Sequence, residues 1–493
     1  TYANMEEAWF DLYKRIKSHP MVKRFFGDPM DLKALHKAAE CTNRLYAEVE
    51  DFVHMQQRVF CRFAFLGERD VLKLFEAEIS LMPDLQALYG FKRLLNDPMA
   101  PNNILGIAEP RKVYFAEPVI YDAPNLAALL HSIEITACSI IREQVRCTCT
   151  KYFEDGESRI DPLSFFLQMH PQVAEVLLRV QFTHAVDRAV DTYEGLVTVQ
   201  EAQNVLFQDL HRIMSDSFNY GLTPAMAIVA NRLVSVQYFH CQVVKSLACL
   251  RSNEEVRQKW FNMLKVFYSQ VEQTAIISFA GHDIEYGSDF NDFGRKEVLI
   301  DELTLRPVFQ AHRDVTMVGF PKVDGILFST HEILQQIASM LGRKFVILDC
   351  HAHSCEQLCD AVRAAFYTTV LLLLEDFDKL DYEVQCIVSN TFIEEARPFF
   401  DNPDHIPEGL HKPFVVICTV DAQSPRLDYS NLDHILAANV ICHGMSCGAA
   451  PAAQFLVSLA NFCVASYSPR LHVYGTFGVP FLRALCTLGA YIF

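Results

Sequence analysis

The chain has 493 residues, 51% of them hydrophobic and 21% charged, with a formal charge of −17 at pH 7. That balance excludes a disordered polymer, and an acidic excess with no Lys/Arg run excludes a nucleic-acid surface. The 16 cysteines follow no paired spacing, which argues for a reduced, intracellular protein rather than a disulfide scaffold.

The length predicts roughly two to four domains with several cores. Residues 364–374 form the longest apolar run, but it holds Tyr367, Thr368 and Thr369 and is too short to span a bilayer. No signal-peptide pattern is found. The chain starts at Thr1 and stops at Phe493 inside a predicted helix, so it is read as a piece of a longer polypeptide.

From Met5 to about Thr274 the apolar residues recur at three- and four-residue spacing, which predicts helices over 32–65, 125–152, 172–193 and 224–250. Breaks fall at 96–103 (NDPMAPNN), 154–162 (EDGESRIDP) and the turn 221–224. Residues 112–120, rich in β-branched and aromatic side chains, predict a hairpin. From about Glu297 short apolar runs at 315–318, 345–348, 370–374 and 414–419 alternate with helical stretches. Their continuous apolar character predicts strands of a parallel sheet covered on both faces. A loop at 401–413 separates two of them, and 448–453 (GAAPAA) marks a boundary before a last helical piece.

The stretch from Val318 to Cys350 has the order strand, loop, helix, strand of a phosphate-binding unit. Its loop carries Gly319, Pro321 and Gly325. Such a loop should read G-x-x-x-x-G-K-[ST], its backbone N–H groups cradling phosphates and its Lys reaching the terminal ones. Here Ser329 or Thr330, depending on a one-residue register, stands in the Lys slot. The lost charge-assisted bond is worth roughly 1.5–3 kcal/mol, or about 10- to 100-fold in affinity. The expectation is a nucleotide-binding fold that no longer turns nucleotide over.

Several motifs in one order resemble a dynein heavy chain, from the later linker into the first AAA+ module. They are WFDLYKRIKSHPMV (9–22), FCRFAFL (60–66), ILGIAEPRKVYFAEPV (104–119), the helix at 171–190, WFNMLKVFY (260–268), 285–290, 300–306 and LRAL (482–485). The FCRFAFL stretch is similar to the family's F-P-R-F-F-F-L, with Cys61 for Pro and Ala64 for Phe. The resemblance implies an α/β fold with a large all-α part. Its expected divisions are a helical linker-like region at 1–274, a connecting segment at 275–296, a degenerate P-loop AAA+ α/β/α parallel-sheet subdomain at 297–450, and part of a small helical subdomain at 451–493.

In a working site of that family a strand ends in Asp-Glu, the Asp holding Mg²⁺ and the Glu polarising the attacking water. This chain has Glu375 and then Asp376, the order swapped, and the second carboxylate is one methylene short. A misplacement near 1 Å costs on the order of 100-fold in rate. The resemblance puts a polar sensor near Thr419 rather than Asn, retains the late arginine as Arg483, and finds no Arg near Leu436 and Ala437. The vestigial nucleotide site is therefore Gly319, Gly325, Ser329, Thr330, Glu375, Asp376, Thr419 and Arg483, with no catalytic residue and with ATP or ADP and magnesium bound weakly or not at all.

Cys350, His351, His353, Cys355 and Cys359 are the densest set of metal-ligand types, but only Cys355 and Cys359 fit half of a zinc site. Cys442, His443 and Cys447 complete it only if the sheet brings them near, so buried structural cysteines are expected. The stretch beginning at Asp289 opens like a calcium loop and fails at Phe293 and Ile300. His184 and Asp187 are read as a satisfied or solvated pair, and Cys147 and Cys149 as incidental.

The resulting expectation is a non-catalytic dynein-heavy-chain-like structural or regulatory component of the cytoskeleton, placed in the ciliary or flagellar axoneme by the family's distribution. Its partners would be other axonemal or dynein-complex proteins, with indirect microtubule contact and neither nucleic acid nor membrane. The alternatives are a fragment of an active motor whose ATP sites lie in later modules, and a helical interaction scaffold unrelated to dynein.

Overall fold

The computed structural model describes residues 2–18, 26–76, 88–89, 94–100, 102–108, 112–120, 125–154, 169–215, 224–290, 302–321, 330–401, 403, 405–407 and 409–419. These residues are mostly helical, with three small sheets, one of them parallel. Among them no helix is long and apolar enough to cross a membrane.

Helices α1 (Tyr2–Ser18) and α2 (Pro29–Val59) pair antiparallel, since Trp9 bonds Thr42 and Arg15 meets Asp31. Ala8, Leu12, Ala34 and Ala38 form their small interface. Asp28 starts α2 by accepting from the Met30 amide at 2.8 Å, ahead of Pro29 in the first turn. A 3-10 turn, Cys61–Phe65, and α3 (Glu68–Glu76) follow.

Strands β1 (Leu94–Asn96), β2 (Asn103–Ile107) and β3 (Val113–Ile120) form an antiparallel sheet in that order. The run at 112–120 is extended as expected but does not fold back on itself: it supplies one arm, β3, and the preceding strand β2 is its antiparallel partner. Pro118 suits it to the sheet edge it occupies. Gly106 permits the pairing, because a Cβ there would lie 2.0 Å from the Val113 carbonyl oxygen.

The helical array continues with α4 (Leu126–Glu154), α5 (Pro171–Ala189), α6 (Tyr193–Ser215), α7 (Pro224–Ala248) and α8 (Asn253–Phe261). The helix expected to reach residue 193 stops at Ala189. Thr192 then caps a new one, its hydroxyl accepting from the Gly195 amide at 3.2 Å. Helix α5 is buried on nearly every side, as befits the centre of the array. Strands β4 (Lys265–Ser269), β5 (Thr274–Phe279) and β6 (His282–Glu285) make a second antiparallel sheet, across a stretch read from sequence as helical up to Thr274. Alternating burial along KVFYS is the period-2 signal that explains it.

Beyond α9 (Glu302–Asp314) come β7 (Val318–Pro321), α10 (Thr330–Met340), β8 (Phe345–Asp349), α11 (Cys355–Tyr367), β9 (Leu371–Glu375), α12 (Tyr382–Asp401) and β10 (Phe414–Thr419). The four strands are parallel in the order β7-β10-β9-β8. The first strand begins three residues later than expected, because Val315 takes a left-handed turn conformation (φ 48°) after α9. Leu371 to Leu374 are all fully buried, as a central strand covered on both faces requires.

The two faces part by residue parity. Leu371, Leu373, Phe414, Val416, Val318 and Phe320 pack with Ile333, Leu334 and Ile337 of α10. Leu372, Leu374, Val415 and Ile417 pack with α11 and α12, through residues such as Val362, Phe366 and Phe392. This follows from crossover handedness. The chain moves one way across the sheet from β7 to β8 and returns through β9 and β10, so right-handed connections place α10 opposite α11 and α12. The α10 side belongs to a core that runs on through Ile277, Ile133 and Val173 of the helical part. The other core also takes in Ala64 and Phe65 of the 3-10 turn. The boundary at 448–453 and the helical piece at 451–493 lie outside the described residues.

Candidate functional site

Parallel strands bring their carboxyl ends to one edge, and ligands of open α/β sheets gather there. Pro321 pairs with Thr419 across β7 and β10, and Glu375 closes β9 beside Asp349 of β8. Four chain ends thus lie along one rim, about 4.8 Å apart from strand to strand. Of the expected site residues, the sheet brings together Gly319 in β7, Thr330 at the start of α10, Glu375, Asp376 and Thr419. Gly325, Ser329 and Arg483 lie outside the described residues.

Thr330 is 2% exposed at the first position of α10, and the next side chain, His331, reaches the rim with Nε2 3.4 Å from Glu375 Oε1. In a G-K-[ST] loop the residue after the Lys is the hydroxyl that sits on Mg²⁺. The residue that touches the strand-end acid here is His331, which brings an imidazole rather than a hydroxyl to Glu375. His331 adjoins the two candidate Lys-slot positions, 329 and 330, and is not among the expected site residues.

Asp376 takes a left-handed conformation (φ 57°, ψ 33°) and opens the short 3-10 helix Phe377–Lys379. Its Oδ2 receives Lys379 Nζ at 2.8 Å, and its side chain is 14% exposed. The backbone oxygen of Glu375 accepts from the Cys350 amide at 3.1 Å, tying the β9 end to β8. Glu375 and Asp376 are thus engaged by side chains of the chain itself, an imidazole on the first and an ammonium on the second.

The cysteine and histidine set after β8 is a capped turn. The Asp349 carboxylate accepts from the His351 amide at 2.9 Å, and His353 Nδ1 lies 2.8 Å from the Asp349 carbonyl oxygen. Ser354 and Gln357 then form a reciprocal capping box that starts α11. Cys350 and Cys359 are buried, and burial pushes the Cys350 thiol up to about 12. Cys442, His443 and Cys447 lie outside the described residues. Among the described residues no group of three or more His, Cys, Asp or Glu side chains is placed to hold a metal ion. Asp187 accepts from Trp260 Nε1 at 2.5 Å, while His184 packs edge-on to Phe153.

A second polar centre, on which sequence reading placed no function, joins the helical part to the sheet. Arg62, 1% exposed, donates to Glu134 (2.7 Å), to the Leu88 carbonyl (3.1 Å) and to Asp289 Oδ1 (2.8 Å). Asp289 Oδ2 accepts from the Lys344 amide at 3.0 Å and from Thr369 Oγ1 at 2.8 Å. Burial opposes the charge on Arg62, but Asp289 and Glu134 outweigh it and hold the guanidinium firmly protonated. The same groups line a cavity of about 10 Å³, room for about one water molecule. A lone Arg inside FCRFAFL was the available signal, because a charge in an apolar run must find a partner.

A parallel junction lies at α5. Glu175 receives Arg179 at 2.9 Å and Arg232 at 3.3 Å, and Arg232 reaches on to Gln336 of α10 at 3.1 Å. Burial works against this carboxylate, yet Arg232 and Arg179 keep it below its ordinary value.

No family model matches the chain. A cytoplasmic dynein heavy chain of Neurospora crassa is 20% identical over 302 residues, which is 59% of this chain and 7% of that protein. The chain therefore spans a small part of the relative's length and is distantly similar to it.

Proposed function

We propose that this chain is a dynein-heavy-chain-like segment in which a linker-type helical region is joined to a degenerate AAA+ module that has lost ATP hydrolysis. It serves a cytoskeletal assembly, in the axoneme, as a shape-holding or regulatory part docked to other proteins of that assembly. The observation that carries the reading is the state of the rim: His331 lies against Glu375 and Lys379 against Asp376. Hydrolysis needs the first carboxylate free for Mg²⁺ and the second free for water. The missing loop Lys adds to the loss.

A ligand moves a conformational equilibrium only by its difference in affinity for the two states. A module that does not grip nucleotide has no such term to drive a linker swing. The buried Arg62 and Glu175 junctions support the same conclusion, because they tie the helical part to the sheet domain as one body. The test is phosphate release and thermal unfolding of the purified chain with Mg-ATP. Background release and an unmoved midpoint are expected; turnover at a motor's rate overturns the reading.

The small share of the relative that is covered, 7%, supports a second reading, a stretch of a motor whose working ATP sites lie in other modules. Under it this chain is equally inert alone, but a longer polypeptide that contains it hydrolyses ATP.

A further inference from the structure

Arg343 sits in the turn between α10 and β8, directly after Gly342, whose φ is +65°. Its amide donates to the Ala338 carbonyl at 2.8 Å and closes the helix. Its side chain turns inward and keeps 7% of its surface. Gly287 makes room for the stem, because a Cβ there would lie 2.8 Å from Arg343 Cγ. Nε and Nη1 are buried and have no hydrogen-bond partner among the described residues. The guanidinium carbon stands 4.8 Å from the centre of the Phe414 ring, and the same ring stacks on His312 at 4.3 Å.

Aromatic stacking holds a guanidinium plane while leaving its N–H edges to a ligand. Two acids act on the guanidinium from nearby, Asp289 and Glu285, and neither is hydrogen-bonded to Nε or Nη1. Asp289 is held by Arg62, the Lys344 amide and Thr369, and Glu285 accepts from Thr274 at 3.3 Å. Other side chains that act on this corner are Lys412, Arg313, His282, His312 and His411, with Asp283 and Asp314 beside His282. Lys412 adds a second positive charge to this corner and Arg313 is paired with Asp314 at 2.9 Å, so the guanidinium is the buried cation there, with Nε and Nη1 left without bonds among the described residues. Buried charges are retained where an opposite charge with hydrogen bonds completes them.

We propose that Arg343 anchors a small oxyanion, a carboxylate or a phosphate group, at the amino-terminal edge of the parallel sheet, with Phe414 holding the guanidinium in place. The site is separate from the carboxyl-end rim of Glu375, so it stands or falls independently of the nucleotide reading.

The experiment is thermal unfolding of the whole chain titrated with sodium phosphate, sodium acetate and sodium chloride at constant pH and ionic strength. Arg343→Met and Arg343→Lys are run alongside. A saturable rise of the midpoint is expected with phosphate or acetate, half-complete near or below about 1 mM, with none from chloride. Response to phosphate alone identifies a tetrahedral group, and response to acetate identifies a carboxylate. The rise should vanish in Arg343→Met and persist, weakened, in Arg343→Lys. The wild-type titration needs no variant to fold. No anion-specific rise, or an equal rise in a folded Arg343→Met, overturns the proposal.

Discussion

Arg62 Nη2 lies 2.8 Å from Asp289 Oδ1, and the two residues are 227 positions apart in the chain. Both are almost fully buried, with side chains 2% and 4% exposed. Losing one member of such a pair leaves an uncompensated charge in the interior, at a cost of about 3–5 kcal/mol. Arg62→Met and Asp289→Asn should each lower the urea midpoint strongly. The double variant should lose less than the sum, because neither partner is then left alone. Additive losses below about 1 kcal/mol each would show that the pair does not hold the helical part to the sheet.

Gly342 and Gly409 separate backbone strain from collision. Both have positive φ, 65° and 83°. A Cβ at Gly342 would lie 2.5 Å from the Tyr286 ring, whereas at Gly409 nothing stands within 4 Å. Gly409→Ala should cost about 1 kcal/mol, the left-handed penalty alone. Gly342→Ala should cost more, by about 1–3 kcal/mol of overpacking against a fully buried aromatic. Equal losses in chemical denaturation would mean that Tyr286 moves aside freely.

The parallel sheet was legible because its strands are unbroken apolar runs: Leu371 to Leu374 cannot sit at a half-solvated position. The smaller sheets were harder to read. In β4 the alternation lasts only five residues and adjoins the helical WFNMLK stretch, so a 3.6 period was carried through it. The break between α5 and α6 was hidden because Thr192 restarts a helix within three residues of Ala189. At the rim Glu375 and Asp376 were legible as a pair after an apolar strand. The hold of Lys379 on Asp376 depends on a left-handed backbone that no spacing reveals. Asp289 stood within the motif 285–290 and at the start of a failed calcium loop, and its real partners are distant in the chain.

Two buried histidines lead the acid response, to which His282 and His411, also held below their ordinary value by burial, add. Burial is the main force on His312, with Arg343 and His282 adding, and pushes it down to about 2; burial and Arg179 hold His240 well below its ordinary value. Unfolded, each titrates near 6.5. Between those values the unfolded chain takes a proton that the folded chain refuses. Stability is therefore complete above about pH 6.5 and falls with pH below it, by about 1.4 kcal/mol per pH unit for each fully neutral histidine. Glu175 is held below its ordinary 4.5, so it plays no part in a window from pH 7.5 to 5.5. Urea midpoints over that window should fall toward acid. His312→Phe, which keeps a ring against Phe414 and cannot protonate, should make the slope shallower while His240 keeps the rest of it; an unchanged slope would exonerate His312.

The rim predicts that binding and turnover can be recovered separately. Thr330→Lys with His331→Thr restores the side chains that a G-K-[ST] loop supplies and clears the imidazole from Glu375. The returned ammonium should raise Mg-ATP affinity by about 10- to 100-fold, read as a thermal shift that the parent chain lacks. Thr330 is 2% exposed, so near-ultraviolet circular dichroism must first show that the variant keeps native packing. Hydrolysis should stay at background. Asp376 remains one methylene short of a Glu, turned left-handed and held by Lys379 at 2.8 Å, and none of these is changed by the loop. Turnover in the double variant would mean that Asp376 leaves Lys379 easily enough to position water, and that the loop was the sole defect.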